Sequence, residues 1–235
     1  MKILITGNEG FIGSNLELYL KNLGYIVIGL DIKSGNDILF CDLPECDLVI
    51  HLAGIGGVRE SIDDPARYWK VNVEGTRRVL EHYNHLRVLV AGSSSQYEPH
   101  LNPYAASKHI IESIPHPNAV FMRLHTVYSL CPRKGMFFDK LINGRLEYVT
   151  EHLRDFIHVD DVCAAINILI SSKYIGSIDI GTGNSIKISE ICPTIPVKQY
   201  TPGERYKTLA NTAIMQSLGF TPMHNIFNFI ENIRR

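Results

Sequence analysis

The sequence predicts an α/β fold: a Rossmann-type doubly wound parallel sheet carrying a small C-terminal substrate-binding α/β cap. Three observations carry this expectation. Short apolar runs alternate with stretches of helical period along most of the chain. A glycine-rich turn joins the first run to the first helix. An acidic residue, Asp31, closes the second run 18 residues beyond the last glycine of that turn.

The elements follow in order. Lys2–Thr6 is a short apolar strand, and Phe11–Leu23 a helix whose Phe11, Ile12, Leu16 and Leu20 share one face. Tyr25–Asp31 is the second strand; Asp47–Leu52, Arg87–Ala91 and Ala119–Leu124 are further strands. Helices fit between them at Pro65–His82 and Tyr104–Ile114, the latter stopped by His116-Pro117. After Tyr128 the rhythm changes. A loop from Pro132, a short helix at Met136–Asn143 and a strand reaching Thr150 precede a helix at Asp160–Ser171 and a strand at Ser177–Ile180. The tail, Asn211–Arg235, reads as two short helices broken at Thr221-Pro222. This divides the chain into residues 1–128 as the main dinucleotide-binding unit, with 155–180 returning to it, and 129–154 with 181–235 as the cap. No Gly/Ser or charged linker separates them.

Composition narrows the function classes. The 235 residues carry a net charge of −1, so no basic surface recommends nucleic acid as a partner. Five cysteines, with no CxxC pair, predict neither a disulfide framework nor a zinc site; no metal is expected, and reduced thiols in a cytoplasm fit better. The apolar run Ile3–Ile5 meets Gly7 at once, and no long apolar segment occurs, so neither a signal peptide nor a membrane span is expected. A soluble cytoplasmic protein is the expectation.

The turn Thr6-Gly7-Asn8-Glu9-Gly10-Phe11-Ile12-Gly13 can cradle a pyrophosphate. Gly7, Gly10 and Gly13 allow close backbone approach, and the helix start at Phe11 and Ile12 presents N–H donors and a positive dipole end. Asp31, with Ile32 beside it, is placed to meet ribose hydroxyls and to repel a 2′-phosphate, which favours NAD over NADP. Lys33 reads as a solvated loop charge.

Tyr104 and Lys108 stand four apart on one helix, so phenol and ammonium share a face. A cation beside a phenol favours the phenolate, and such a pair could take a proton from a sugar hydroxyl while NAD takes a hydride.

The GxxGxxG spacing with Tyr104-Ala105-Ala106-Ser107-Lys108 resembles the extended short-chain dehydrogenase/reductases, the NAD-dependent epimerase/dehydratase family of sugar-nucleotide enzymes, through nearly the whole chain. The resemblance implies that Asp42 and Leu43, after the family's third strand, meet the adenine. It also implies that Leu52, Ala53 and Gly54 line the cofactor, with His51 and Asn72 as structural braces. By the same resemblance Ser93, in Gly92-Ser93-Ser94-Ser95-Gln96-Tyr97-Glu98, is the third member of a Ser–Tyr–Lys triad. Dehydratases and decarboxylases of the family carry an acid just after that hydroxyl; here Ser94 and Ser95 stand instead, which disfavours elimination and leaves epimerisation.

Gly57-Val58-Arg59-Glu60-Ser61 and Arg123-Leu124-His125-Thr126-Val127-Tyr128 with Arg133 are similar to stretches of UDP-glucuronate and UDP-glucose 4-epimerases. They imply that Ser94, Ser95 and Thr126 supply hydroxyls to the sugar and that Arg133 supplies charge. Arg154, opening Arg154-Asp155-Phe156-Ile157-His158-Val159-Asp160-Asp161, would reach the diphosphate, and Asp160 would cap the helix after it. Ser177–Gly183 and Pro202-Gly203-Glu204 match further family runs, with Thr201 where many members have Arg. The resemblance therefore implies a nucleotide-sugar substrate, UDP-sugar favoured, and leaves a homodimer open. The segments Asp31–Asp42 and Tyr97–Tyr104 and the helix after Lys108 are short for the family.

Overall fold

The structure, a computed structural model, describes residues 1–199 and 203–233. Thr201 and Pro202 lie outside the described residues. The strands are β1 (Lys2–Thr6), β2 (Ile26–Leu30), β3 (Leu48–His51), β4 (Arg87–Ser93), β5 (Ala119–Leu124), β6 (Thr126–Tyr128), β7 (Val149–Thr150), β8 (Leu153–His158), β9 (Gly176–Ile180), β10 (Ser185–Lys187) and β11 (Val197–Lys198). The helices are α1 (Phe11–Asn22), α2 (Val58–Asp63), α3 (Pro65–Tyr68), α4 (Gly75–His82), α5 (Pro103–Ile111), α6 (Phe137–Ile142), α7 (Val159–Ser171), α8 (Ile188–Ile191), α9 (Ala213–Ser217) and α10 (Ile226–Ile233).

Six strands form one parallel sheet in the order β2-β1-β3-β4-β5-β9. Its strands are apolar on both faces because helices cover both. In β1, Ile3 and Ile5 join Leu16 and Leu20 of α1 and Val162, Ile166 and Leu169 of α7 in one core. Leu4, pointing the other way, packs with Val49, Val79, Leu80, Val88 and Ile111 on the opposite face. A third core, built on Tyr128, Phe138, Phe156, Phe229 and Ile230, ties α6 and α10 to the three-stranded sheet β10-β8-β6. The strand order reverses direction between β1 and β3, and ligands of such sheets bind beyond the carboxyl ends of the strands near that point.

Three local features differ from the sequence reading. Pro65–His82 is not one α-helix: α3 and α4 are joined by a π-helical stretch, Trp69–Glu74, preceded by the separate helix α2. The extra residue per turn rotates Asn72 toward Ile55. No strand forms between Asp31 and β3, so the strand expected before Asp42 is missing and β2 is the sheet edge. After a 3-10 turn at Ile32–Ser34, the remaining residues are pinned as turns by Arg78, which donates to the carbonyls of Ile38 and Cys41 at 2.8 and 2.6 Å. Finally, His158 rather than Asp160 caps α7, its ring nitrogen accepting from the Asp160 N–H at 3.3 Å, and the helix starts at Val159. Among the described residues no helix is long and apolar enough to cross a membrane.

Candidate active site

The dinucleotide end is built from the loop between β1 and α1. Gly7 has φ +74°, and a side chain there would lie 2.7 Å from the Ala53 nitrogen; at Gly13 a Cβ would sit 2.1 Å from the Gly7 carbonyl oxygen. Both positions require glycine, because the loop, the helix start and the end of β3 touch backbone to backbone. Gly10 precedes α1 and offers no side-chain cap, so the first-turn N–H groups at Phe11 and Ile12 remain open to an anion. Asp31 is buried at the end of β2. Its carboxylate accepts from the Glu9 N–H at 3.0 Å and the Lys33 N–H at 2.9 Å, which ties the glycine loop to the strand end. Lys33 is not a free surface charge: its ammonium donates to the Glu9 carbonyl on that loop.

The end of β3 continues the wall. His51 is buried between Thr6 (2.7 Å) and Thr76 (3.1 Å). Burial, seconded by the charge of Lys108, pushes its pKa down to about 3, so it is a neutral packing residue. Asn72 binds both backbone groups of Ile55, at 2.9 and 3.0 Å, and the Ser107 hydroxyl at 3.0 Å, fixing Leu52–Ile55 against α5. Gly54 lies near the Lys108 ammonium, its constructed Cβ position 3.7 Å away. By contrast Asp42 is exposed in the turn that replaces the edge strand, and Leu43 packs on the apolar core behind the sheet. Ile32 is exposed beside Asp31.

Ser93, Tyr104 and Lys108 meet at the carboxyl end of β4. Ser93 is the last residue of that strand, buried, its hydroxyl accepting from the Ser95 N–H at 3.2 Å. Asn102 caps α5 by accepting from the Ala105 N–H at 2.8 Å, and Pro103 occupies the first helical position, so Tyr104 and Lys108 lie one turn apart on the same face. Burial raises the Tyr104 phenol above its ordinary value; the interaction with Ser93, and then the charge of Arg133, pull the other way. Lys108 is buried, donates to the Ala91 carbonyl at 2.7 Å, and is lowered by burial to about 8. Tyr68 packs edge-on against Tyr104, ring centres 6.2 Å apart.

Next to this group opens a cleft of about 630 Å³, lined among others by Ser94, Ser95, Thr126 and Arg154. Four of the five residues the sequence assigned to substrate thus share one cavity. The fifth, Arg133, stands outside that lining. It is exposed and donates to the Gly56 carbonyl at 2.9 Å, close enough to bias Tyr104. Arg154 is held at the Tyr206 carbonyl (3.2 Å) and beside Glu204 (3.6 Å).

Sequence reasoning assigned no role to several cleft residues. Arg205 donates to the Ser94 carbonyl at 2.8 Å and pairs with Glu98 at 2.9 Å, steadying the serine run from across the cleft. Arg59, Lys140, Arg145 and Tyr148 also line it. Arg59 sits inside the family-like run Gly57-Val58-Arg59-Glu60-Ser61, the one signal that could have drawn attention to it; Arg205 lies in no such run. Asp155 is not free for ligand. It is fully buried and accepts from Thr182, Gly183 and Ala210 N–H groups at 2.7, 2.8 and 3.0 Å, closing the turn after β9.

Comparisons with known proteins agree with this fold. The family model described as the NAD dependent epimerase/dehydratase family matches residues 3–181. Protein CapI of Staphylococcus aureus is 30% identical over a 233-residue alignment covering 72% of this chain and 69% of that protein. Among solved structures, MoeE5 in complex with UDP-glucuronic acid and NAD superposes with a TM-score of 0.85 at 28% identity, covering 100% of this chain and 98% of that one. UDP-glucuronic acid 4-epimerase from Bacillus cereus, in complex with UDP-glucuronic acid and NAD, gives 0.82 at 28% identity over 98% and 97%. The family model spans more than half of the chain, and the chain belongs to the NAD-dependent epimerase/dehydratase family.

Proposed function

We propose that the protein inverts C4 of a nucleotide sugar, a UDP-hexuronate or UDP-hexose, without net redox change. The observation that carries this reading is the composition of the catalytic corner. Ser93, Tyr104 and Lys108 converge, while Ser94 and Ser95 follow where elimination needs an acid. Glu98, the acid nearest in sequence, is engaged by Arg205 at 2.9 Å.

Residues fit for NAD are Gly7, Gly10, Phe11, Ile12 and Gly13 at the pyrophosphate, Asp31 at the adenosine ribose, and Leu52–Gly54 and Lys108 toward the nicotinamide. When bound, NAD supplies a reversible hydride acceptor and a positive ring that adds to Lys108 in favouring the phenolate. Tyr104 then removes the proton from the C4 hydroxyl and returns it after inversion. Ser93 holds the C4 oxygen by hydrogen bond, and a transient 4-keto sugar is the shared point of both directions. Lys108 is anchored by Ala91 and has N–H donors left over to orient ribose and phenol. Ser94, Ser95, Thr126 and Arg154 bind the sugar and diphosphate from the cleft, and Arg133 favours a sugar carboxylate.

Incubation of the protein with UDP-, dTDP- and GDP-sugars, with products resolved by NMR, tests the reading. A C4 epimer of one UDP-sugar is expected. A 4-keto-6-deoxy product would establish a dehydratase instead.

A further inference from the structure

Between Ser93 and Pro103 the chain makes two 3-10 turns, Ser94–Tyr97 and Pro99–Leu101, with Glu98 at their junction. This connection sets the spacing between Ser93, at the end of β4, and Tyr104, in the first turn of α5. Turns of this type have poorer hydrogen-bond geometry than an α-helix, so the register of the two hydroxyls leans on ties from outside the connection. Two ties come from neighbouring elements of the main sheet and its helices: Gln96 to His109 at 3.2 Å and Tyr97 to Asp179 at 2.7 Å.

The others come from the C-terminal third, from the three residues 203–205. Asn102 is buried and uses both ends of its amide. Its oxygen caps α5 by accepting from the Ala105 N–H at 2.8 Å, and its nitrogen donates to the Gly203 carbonyl at 3.0 Å. Two residues on, the Arg205 guanidinium divides its donors. Nε donates to Glu98 at 2.9 Å and Nη1 to the Ser94 carbonyl at 2.8 Å. The same guanidinium lies 5.2 Å from the centre of the Tyr97 ring, which Arg123 also contacts at 4.8 Å. One short segment therefore reaches both the strand end that carries Ser93 and the helix start that carries Tyr104.

We propose that Arg205 is a positioning residue: through the Ser94 carbonyl and Glu98 it holds the Ser93 hydroxyl in register with the Tyr104 phenol. The proposal rests on the assignment of Ser93 and Tyr104 to chemistry at C4. A planar guanidinium with two committed donors fixes its acceptors in distance and angle, which the point charge of a lysine cannot do. The Ser94 peptide that it grips follows Ser93 directly, so a shift there moves the hydroxyl. A displacement of about 1 Å at a reacting group can cost about a hundredfold in rate. Arg205 also lines the cleft, so direct binding of a substrate anion is the competing outcome, and it predicts a change in affinity instead of kcat.

The test uses the full chain with UDP-glucuronate, UDP-glucose, UDP alone and NAD. Arg205→Ala should lower kcat about ten- to a hundredfold, while KM, the calorimetric Kd for UDP, NAD affinity and Tm change little. Arg205→Lys should recover only part of the loss. Millimolar guanidinium ion, far below denaturing levels, should raise kcat of Arg205→Ala and leave Tyr104→Phe inactive. Glu98→Gln keeps an oxygen acceptor for Nε and should hold kcat within about threefold of wild type. Unchanged kcat in Arg205→Ala, or a loss confined to KM and the UDP Kd, would overturn the proposal. So would a kcat loss matched by equal losses of NAD affinity and Tm, which marks a merely structural role. Glu98→Gln as inactive as Arg205→Ala would make Glu98 an acid in the reaction and overturn it too. A wild-type chain that turns over neither UDP-sugar contradicts the C4 reading itself, and this proposal falls with it; an active wild type with an unaffected Arg205→Ala leaves that reading standing and removes this proposal alone.

Discussion

The glycine-loop region and the neighbouring cleft are the two ends of the candidate active site, and they are built differently. At the dinucleotide end nearly every polar group is already committed: Asp31 to two backbone N–H groups, His51 to two threonines, Asn72 to Ile55 and Ser107. Gly7 and Gly13 leave no room for a methyl group. At the sugar end the wall is made of long charged side chains, Arg59, Lys140, Arg145 and Arg205 with Glu98 and Glu204. Their pairings span the cleft: Arg59–Glu204 at 3.3 Å is largely solvent-exposed, and Arg205–Glu98 at 2.9 Å is half-buried. Exposed pairs of this kind contribute about 0–1 kcal/mol each and rearrange easily. Under the proposed function the difference would assign tasks: a rigid region to hold the cofactor, and an adaptable one to select the sugar.

The first way to break this division is at the chemistry between the ends. Tyr104→Phe should lower turnover by about 10²–10⁴-fold while NAD affinity stays within about twofold. Turnover near wild type would remove the phenol from the mechanism; equal loss of NAD binding would make it part of the rigid end.

A second prediction tests rigidity through pH. His51 has a folded pKa of about 3 against an ordinary 6.5, so between these values the unfolded chain binds a proton that the folded one refuses. Its contribution to stability is complete above pH 6.5 and is lost as pH falls toward 3, an effect on the order of a few kcal/mol. Thermal melts of His51→Asn across pH 6.5 to 4 should show a flatter decline than wild type. Parallel curves would mean that acid unfolding is driven elsewhere.

Gly13→Ala should cost about 1–3 kcal/mol in stability, or an equivalent loss of NAD affinity, because the Cβ must displace the Gly7 carbonyl. Melts and NAD titrations measure both; an unaffected variant would show the loop to be softer than its geometry implies. The smallest effect belongs to the adaptable end. Arg133→Ala should reduce kcat/KM for UDP-glucuronate several-fold more than for UDP-glucose, on the order of 1 kcal/mol of differential binding. Equal effects would move the assignment to the neutral sugar.

The two ends also differed in how legible they were in the sequence. The dinucleotide end is local: strand, glycine turn, helix start and Asp31 lie within 31 residues, and spacing alone encodes their geometry. Tyr104 and Lys108 are likewise fixed by one helical turn. What escaped notice depends on pairing between distant segments. Arg205 reaches Ser94 across 111 residues of sequence, and nothing local announces it. The π-helical stretch at Trp69–Glu74 escaped because an extra residue per turn leaves the apolar pattern of Pro65–His82 largely intact. The missing edge strand is a matter of length. Between Asp31 and β3 there is chain enough for turns alone, and the resemblance to longer family members carried Asp42 into an exposed position.

The central claim is that C4 is oxidised and reduced within one closed cycle at Tyr104. A UDP-hexuronate or UDP-hexose deuterated at C4 tests it most directly, with the products followed by NMR and the reduced cofactor by absorbance. The account predicts an inverted product that keeps its deuterium at C4, with no reduced cofactor accumulating in solution. Loss of the label to water, or steady accumulation of reduced cofactor, would contradict it.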